Sequence, residues 1–199
     1  MRLKEYLTED FGKDVDLIEK NCKVYLGSTK GLKYLLLRDF ESNRVFNKDL
    51  EVIKSRTDRR PKDTPMHIHE KINEMFRKKF GWDVRNGVFC EGEWCSFRKD
   101  NGFQRFIFPV DGFKFVWSPS VGDFFIDVYK YKIKNVSYKE PNIDEILNDY
   151  VKGCKNTNLK DAVNSRNEIS LLCKEYYAVS YQLLRNINYV LKMNWVLEN

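Results

Sequence analysis

The sequence predicts an α+β fold, a single domain of mostly antiparallel sheets with helices to one side. Three observations carry this. A strong helical pattern runs from Pro65 to Phe80. Four strand-like runs follow, Val84–Cys90, Phe103–Phe108, Phe113–Trp117 and Phe124–Tyr131. Helices that could act as crossovers are too few for a doubly wound parallel sheet, so the strands pair with reversed neighbours.

The elements follow in order. Val15, Ile18, Cys22, Tyr25 and Leu26 recur at helical spacing, with Asp14 or Asp16 available as a cap. Gly27–Gly31 breaks that pattern. Tyr34–Leu37 is an apolar run too short for a helix and suited to a buried strand, with Arg38 at its exit. Val52 and Ile53 mark another short strand. Thr64 is placed to cap the next helix and Pro65 to open it. Ile68, Ile72, Met75, Phe76 and Phe80 give that helix one apolar face, Arg77, Lys78 and Lys79 suit its last turn, and Gly81 ends it. Asp111-Gly112 reads as a hairpin turn between the second and third of the four strand-like runs. Asn142 caps a helix carrying Ile143, Ile146, Leu147, Tyr150 and Val151, which Gly153 stops. Ile169–Cys173 and Tyr176–Tyr181 read as a closing pair of strands, and Leu183–Leu197 as a C-terminal helix.

Length and composition bound the rest. At 199 residues with 42% hydrophobic side chains, the chain has material for one packed core, and residues 1–199 read as a single domain. No run approaches the roughly 18 apolar residues of a membrane helix. The opening MRLKEYLTEDFGKD has acids where a signal peptide has its apolar stretch. Five cysteines, an odd count without framework spacing, suit a reducing cytoplasm. The expectation is a cytoplasmic protein with no membrane partner. A net charge of +6 favours polyanionic partners without separating nucleic acid from a phosphate-bearing cofactor.

Several chemistries are set aside. His67 and His69 with Cys90 and Cys95 invite a zinc site, but residues two apart on a helix face nearly opposite ways. Ordinary buried thiols and exposed histidines are the expectation there, with no metal. The ten glycines are scattered, with no phosphate-cradling loop. The basic stretch Lys54–Lys62 (KSRTDRRPK) could touch phosphates, though a solvated loop is the plainer account. Pro61 and Pro65 pin its geometry, and rigid loops often serve sites.

Three separated segments carry the functional expectation. Leu35-Leu36-Leu37-Arg38-Asp39 is an apolar strand ending in an arginine. Phe89-Cys90-Glu91-Gly92 puts an aromatic before a small side chain, and Asn101-Gly102 could close that motif. Glu168-Ile169-Ser170-Leu171-Leu172 sets an acid at the head of an apolar strand. In this order they resemble the three motifs of the arginine–serine–glutamate type of ADP-ribosyltransferases, with Asp39 in place of a glycine and Cys90 in place of a hydroxyl residue. The stretch Arg59–Pro65, Phe80-Gly81, Arg85–Phe89, Phe108-Pro109 and Trp117–Asp123 is similar to small proteins of tailed bacteriophages.

That resemblance implies an ADP-ribosyltransferase-like domain that uses NAD as substrate, encoded by a phage and acting in the bacterial cytoplasm on a host macromolecule. Glu168 would offset the positive charge of an oxocarbenium-like transition state. Arg38 would act with it and hold the NAD phosphates. Phe89 would stack on nicotinamide, Cys90 would pack between these groups, and Arg85 would complete the cofactor-binding set. Arg166 stands two residues before the acid, which argues against arginine as acceptor. The competing expectations are a non-catalytic phage inhibitor that binds a host or defence protein, and a weak nucleic-acid binder using Arg56–Lys62.

Overall fold

The computed structural model describes residues 9–41, 43–56, 58–94, 103–135 and 141–197. In chain order the elements are α1 (Glu9–Asn21), α2 (Lys23–Thr29), β1 (Tyr34–Asp39), β2 (Leu50–Lys54), α3 (Met66–Phe80), a 3-10 turn (Val84–Asn86), β3 (Val88–Trp94), β4 (Gln104–Pro109), β5 (Lys114–Trp117), a π-helix (Phe124–Lys134), α4 (Ile143–Gly153), α5 (Leu159–Ser165), β6 (Glu168–Leu172), β7 (Glu175–Val179) and α6 (Tyr181–Val190). The class is α+β, and the pairs β1–β4, β2–β7, β3–β6, β4–β7 and β5–β6 are antiparallel. The chain divides into two compact units of interleaved segments.

The first unit holds Met1–Lys54, Glu93–Phe113 and Cys173–Asn199. Its strands run β2-β7-β4-β1, with Val52 opposite Tyr177, Ile107 opposite Ala178 and Arg38 opposite Arg105. Leu35, Leu36, Ile107, Phe108, Ala178 and Val179 are buried, which explains why these short strands read as apolar runs. Tyr25 meets Phe108 edge-on at 5.1 Å, and its hydroxyl accepts from the Leu36 amide at 3.0 Å.

Four sequence expectations change here. The single helix Val15–Leu26 is two helices that break at Cys22. The carboxylate of Asp111 accepts from the amides of Lys23 (3.1 Å) and Val24 (2.9 Å), so it caps α2 from far along the chain. Asp111-Gly112 does turn the chain, with Gly112 at φ 89°, but no β4–β5 hairpin forms: β4 pairs with β1 and β7, and β5 with β6. Likewise β6 and β7 are not a pair. The C-terminal helix stops at Val190 rather than Leu197.

The second unit holds Ser55–Gly92 and Lys114–Leu172. Its strands run β3-β6-β5. Helices α3 and α4 and the π-helix share a core of Ile68, Ile72, Phe76, Val84, Phe124, Val128, Leu147 and Val151. The helix over Pro65–Phe80 forms as expected, except that Pro65, not Thr64, holds the cap position. Gly81 ends it in the left-handed conformation at φ 81° and donates to the Arg77 carbonyl. Asn142 caps α4 by accepting from the Glu145 amide at 3.3 Å.

The expected strand Phe124–Tyr131 is instead the π-helix. Asp123 accepts from the Ile126 amide at 2.8 Å, and Asp127 accepts from the Gly122 and Asp123 amides. These two acids bend the chain, and the buried residues Phe124 and Val128 then share a helical face four residues apart. Helix α5 escapes the sequence pattern altogether, being only seven residues long.

Candidate functional site

Four of the five residues expected at the site lie in the second unit. Arg85 sits on the 3-10 turn, Phe89 and Cys90 on β3, and Glu168 at the start of β6. The fifth, Arg38, lies on β1 of the first unit, opposite Arg105.

Register decides what the four can do together. Across the β3–β6 pair, Phe89 faces Ser170, Cys90 faces Ile169 and Glu91 faces Glu168. Side chains alternate between faces, and directly paired residues share one. Phe89, Glu91, Glu168 and Ser170 are therefore on one face, and Cys90 and Ile169 on the other. Cys90 is buried there, its thiol 3.5 Å from the Ile169 carbonyl oxygen. It is one residue out of phase with both Phe89 and Glu168 and so lies on the opposite face of the pair.

Arg85 joins the remaining members. Its Nη1 donates to Glu168 Oε1 in a short ion pair, with both side chains largely shielded from water. The same guanidinium lies 4.3 Å from the Phe89 ring centroid and 4.6 Å from that of Phe124. A second guanidinium, Arg59, lies 4.0 Å from Phe89. A cation this close to a ring is attracted by the negative face of the π-system. Phe89 thus has two guanidiniums close to its ring.

The turn carrying Arg85 is pinned by a polar cluster on α3. Asn73 Oδ1 accepts from the Arg85 amide at 2.8 Å, and Asn73 Nδ2 donates to Asn86 Oδ1 at 3.1 Å. His69 Nε2 lies 2.9 Å from Asn86 Oδ1 and 3.1 Å from Asn73 Nδ2. His69 is buried, against the expectation of an exposed histidine, while His67 is exposed. Burial lowers the His69 pKa, with Asn86 opposing.

Electrostatics around Glu168 are opposed. Burial pushes its carboxyl pKa up, Arg85 pulls it back down, and Asp123 adds to the rise. Tyr150 and Cys154 lie close enough to feel this charge. Burial holds the Tyr150 hydroxyl well above its usual value and the Cys154 thiol up to about 12, so neither is an anion near neutrality.

Sequence reasoning missed Arg59, Glu91, Asn73 and His69. Arg59 had a signal, since it belongs to the proline-pinned basic stretch. Glu91 lay inside the quoted second motif but gains meaning only from register. Asn101, Gly102 and Cys95 lie outside the described residues. Among those described, no three His, Cys, Asp or Glu side chains are gathered to hold a metal. A groove of about 680 Å³ opens between α3 and α4, lined by Lys71, Glu74, Lys78, Lys79, Asp144 and Lys152 among others, and it takes in none of Arg85, Phe89 or Glu168. No helix among the described residues is long and apolar enough to cross a membrane. No protein-family model matches the chain, and no curated protein or solved structure matches it either.

Proposed function

We propose that the chain is an ADP-ribosyltransferase-like enzyme of a phage, one that uses NAD and transfers ADP-ribose to a host macromolecule in the bacterial cytoplasm. The observation that carries this reading is the shielded Glu168 carboxylate, held by Arg85 beside Phe89. Breaking the nicotinamide–ribose bond sends the bonding electron pair out with nicotinamide and leaves positive charge on the sugar. A carboxylate whose position is fixed beforehand offsets that charge without reorganising. In this reading Arg85 orients Glu168, and the positive charge of Arg59 and Arg85 favours the cofactor phosphates.

The test is incubation with labelled NAD and a bacterial lysate. Label transferred to a macromolecule, with nicotinamide released, supports the reading. Wild-type protein that does neither ends it.

A second reading is a binding protein without turnover, an inhibitor of a host or defence protein. The closed Arg85–Glu168 pair favours it, since a carboxylate already satisfied by arginine has less charge to lend to a sugar. Host inhibition that survives Glu168→Gln would select it.

A further inference from the structure

From the first unit we infer a second binding site, one for single-stranded nucleic acid, built from Arg38, Arg44 and Arg105 around Phe40 and Phe46. The two rings meet edge-to-face at 4.9 Å and 80°. Arg38 Cζ lies 5.4 Å from the Phe40 centroid, and Arg44 Cζ lies 5.0 Å from Phe40 and 4.9 Å from Phe46. Arg105 Cζ lies 4.2 Å from Phe46. Three guanidiniums are thereby interleaved with two rings.

The topology forces this concentration of charge. Arg38 and Arg105 are directly opposite in the β1–β4 register. Two like charges placed so raise the local positive potential, which favours an anion at the adjoining surface. Arg105 is buried and donates to the Gln104 carbonyl at 2.8 Å, so it raises the local potential from beneath. Arg38 and Arg44 are half-buried and reach the surface. Glu51 pairs with Arg44 at 3.3 Å, and Asp39, on the other face of β1, accepts from Gln104.

Apolar surface adjoins the cations. The Phe40 amide donates to the Phe103 carbonyl at 2.8 Å, which fixes Phe103 beside the cluster, and the Phe103 side chain is 38% exposed. Val45, between Arg44 and Phe46, is 74% exposed. Phosphates suit the arginine edges and base faces suit the apolar side chains, which is how sequence-tolerant single-strand binding works. A duplex hides its base faces and an acidic peptide has none, so neither uses both parts of the surface.

The experiment is fluorescence anisotropy with a labelled single-stranded oligonucleotide about 12 nucleotides long, repeated across a salt series. Binding is expected at low salt. Arg44→Gln and Arg38→Gln are each expected to weaken it about fivefold and to reduce the salt slope by about 0.7. Arg56→Gln, on an exposed arginine paired with Asp58, is expected to bind as wild type. Circular dichroism checks that the variants fold. Wild type that fails to bind the oligonucleotide overturns the inference. So does a duplex or polyglutamate binding as well as the single strand, or unchanged affinity in both Arg38→Gln and Arg44→Gln. None of these outcomes depends on NAD turnover.

Discussion

Arg85 is bonded to Glu168 and at the same time lies over the rings of Phe89 and Phe124, at 4.3 Å and 4.6 Å. Its side chain is 11% exposed and that of Glu168 21%. Removing one partner from such a pair strands the other charge away from water. Arg85→Ala is therefore expected to destabilise the fold by roughly 3 kcal/mol. Glu168→Gln, which still accepts from the guanidinium, should cost less than half of that. Urea unfolding of the two variants measures the difference. Equal losses would mean that the pair is not what holds these groups.

Gly92 lies where β3 meets α5. A β-carbon built there would stand 1.7 Å from the Val163 carbonyl oxygen, a contact that backbone alone cannot relieve. Gly92→Ala is expected to destabilise by about 3 kcal/mol. Gly153 is the control, since it lies in α4 and a β-carbon placed on it would meet nothing within 4 Å. Gly153→Ala should gain about 0.5–1 kcal/mol from helix propensity. Thermal melts that rank the two variants the other way would refute the close approach.

How much of this was legible in the sequence depended on range. Helices α3 and α4 were readable because their caps and apolar faces are local. Tyr34–Leu37 and Ile169–Cys173 were readable as strands because most of their residues are buried on both faces. Strand partners were not, since β4 and β5 are near neighbours in sequence yet pair elsewhere. The split at Cys22 depends on Asp111, about ninety residues away. Glu168 and Arg85 were legible as residue types, but their ion pair was not. The phase of Cys90 required the register of β3 against β6, which no motif spacing supplies.

His69 gives a pH dependence whose sign follows from burial. Its folded pKa is lowered from the ordinary 6.5, so the unfolded chain takes up a proton more readily. Its contribution to stability is complete above about pH 6.5 and is lost as pH falls toward the lowered folded value. Glu168 acts oppositely, because its raised pKa makes the charged form costly as pH rises. The expected result is that wild type minus His69→Gln, measured by urea unfolding from pH 7.5 to 5, declines toward acid. A flat difference would show that the His69–Asn73–Asn86 cluster carries no proton linkage.

The two register-paired carboxylates separate the chemistry from the scaffold. Glu91 and Glu168 share one face of the sheet, but only Glu168 is held by Arg85 and shielded, while Glu91 is exposed. If ribosyl charge develops at this face, the fixed carboxylate is the one that counters it. Glu168→Gln should then cut NAD turnover by about two to three powers of ten while leaving NAD affinity within a fewfold, because the lost interaction belongs to the transition state. Glu91→Gln should change turnover by less than about tenfold, since a solvated carboxylate offers little preorganised field. Arg38→Gln adds the remaining contrast. The family resemblance gives Arg38 to the NAD phosphates, and the first unit's cluster gives it to a nucleic-acid strand. Loss of NAD affinity in this variant supports the former, and loss of oligonucleotide affinity alone the latter. Steady-state NAD hydrolysis, with equilibrium binding of NAD and of the single-stranded oligonucleotide, on wild type and all three variants, decides the matter. Turnover that survives Glu168→Gln but falls with Glu91→Gln would transfer the catalytic role to the residue across the strand.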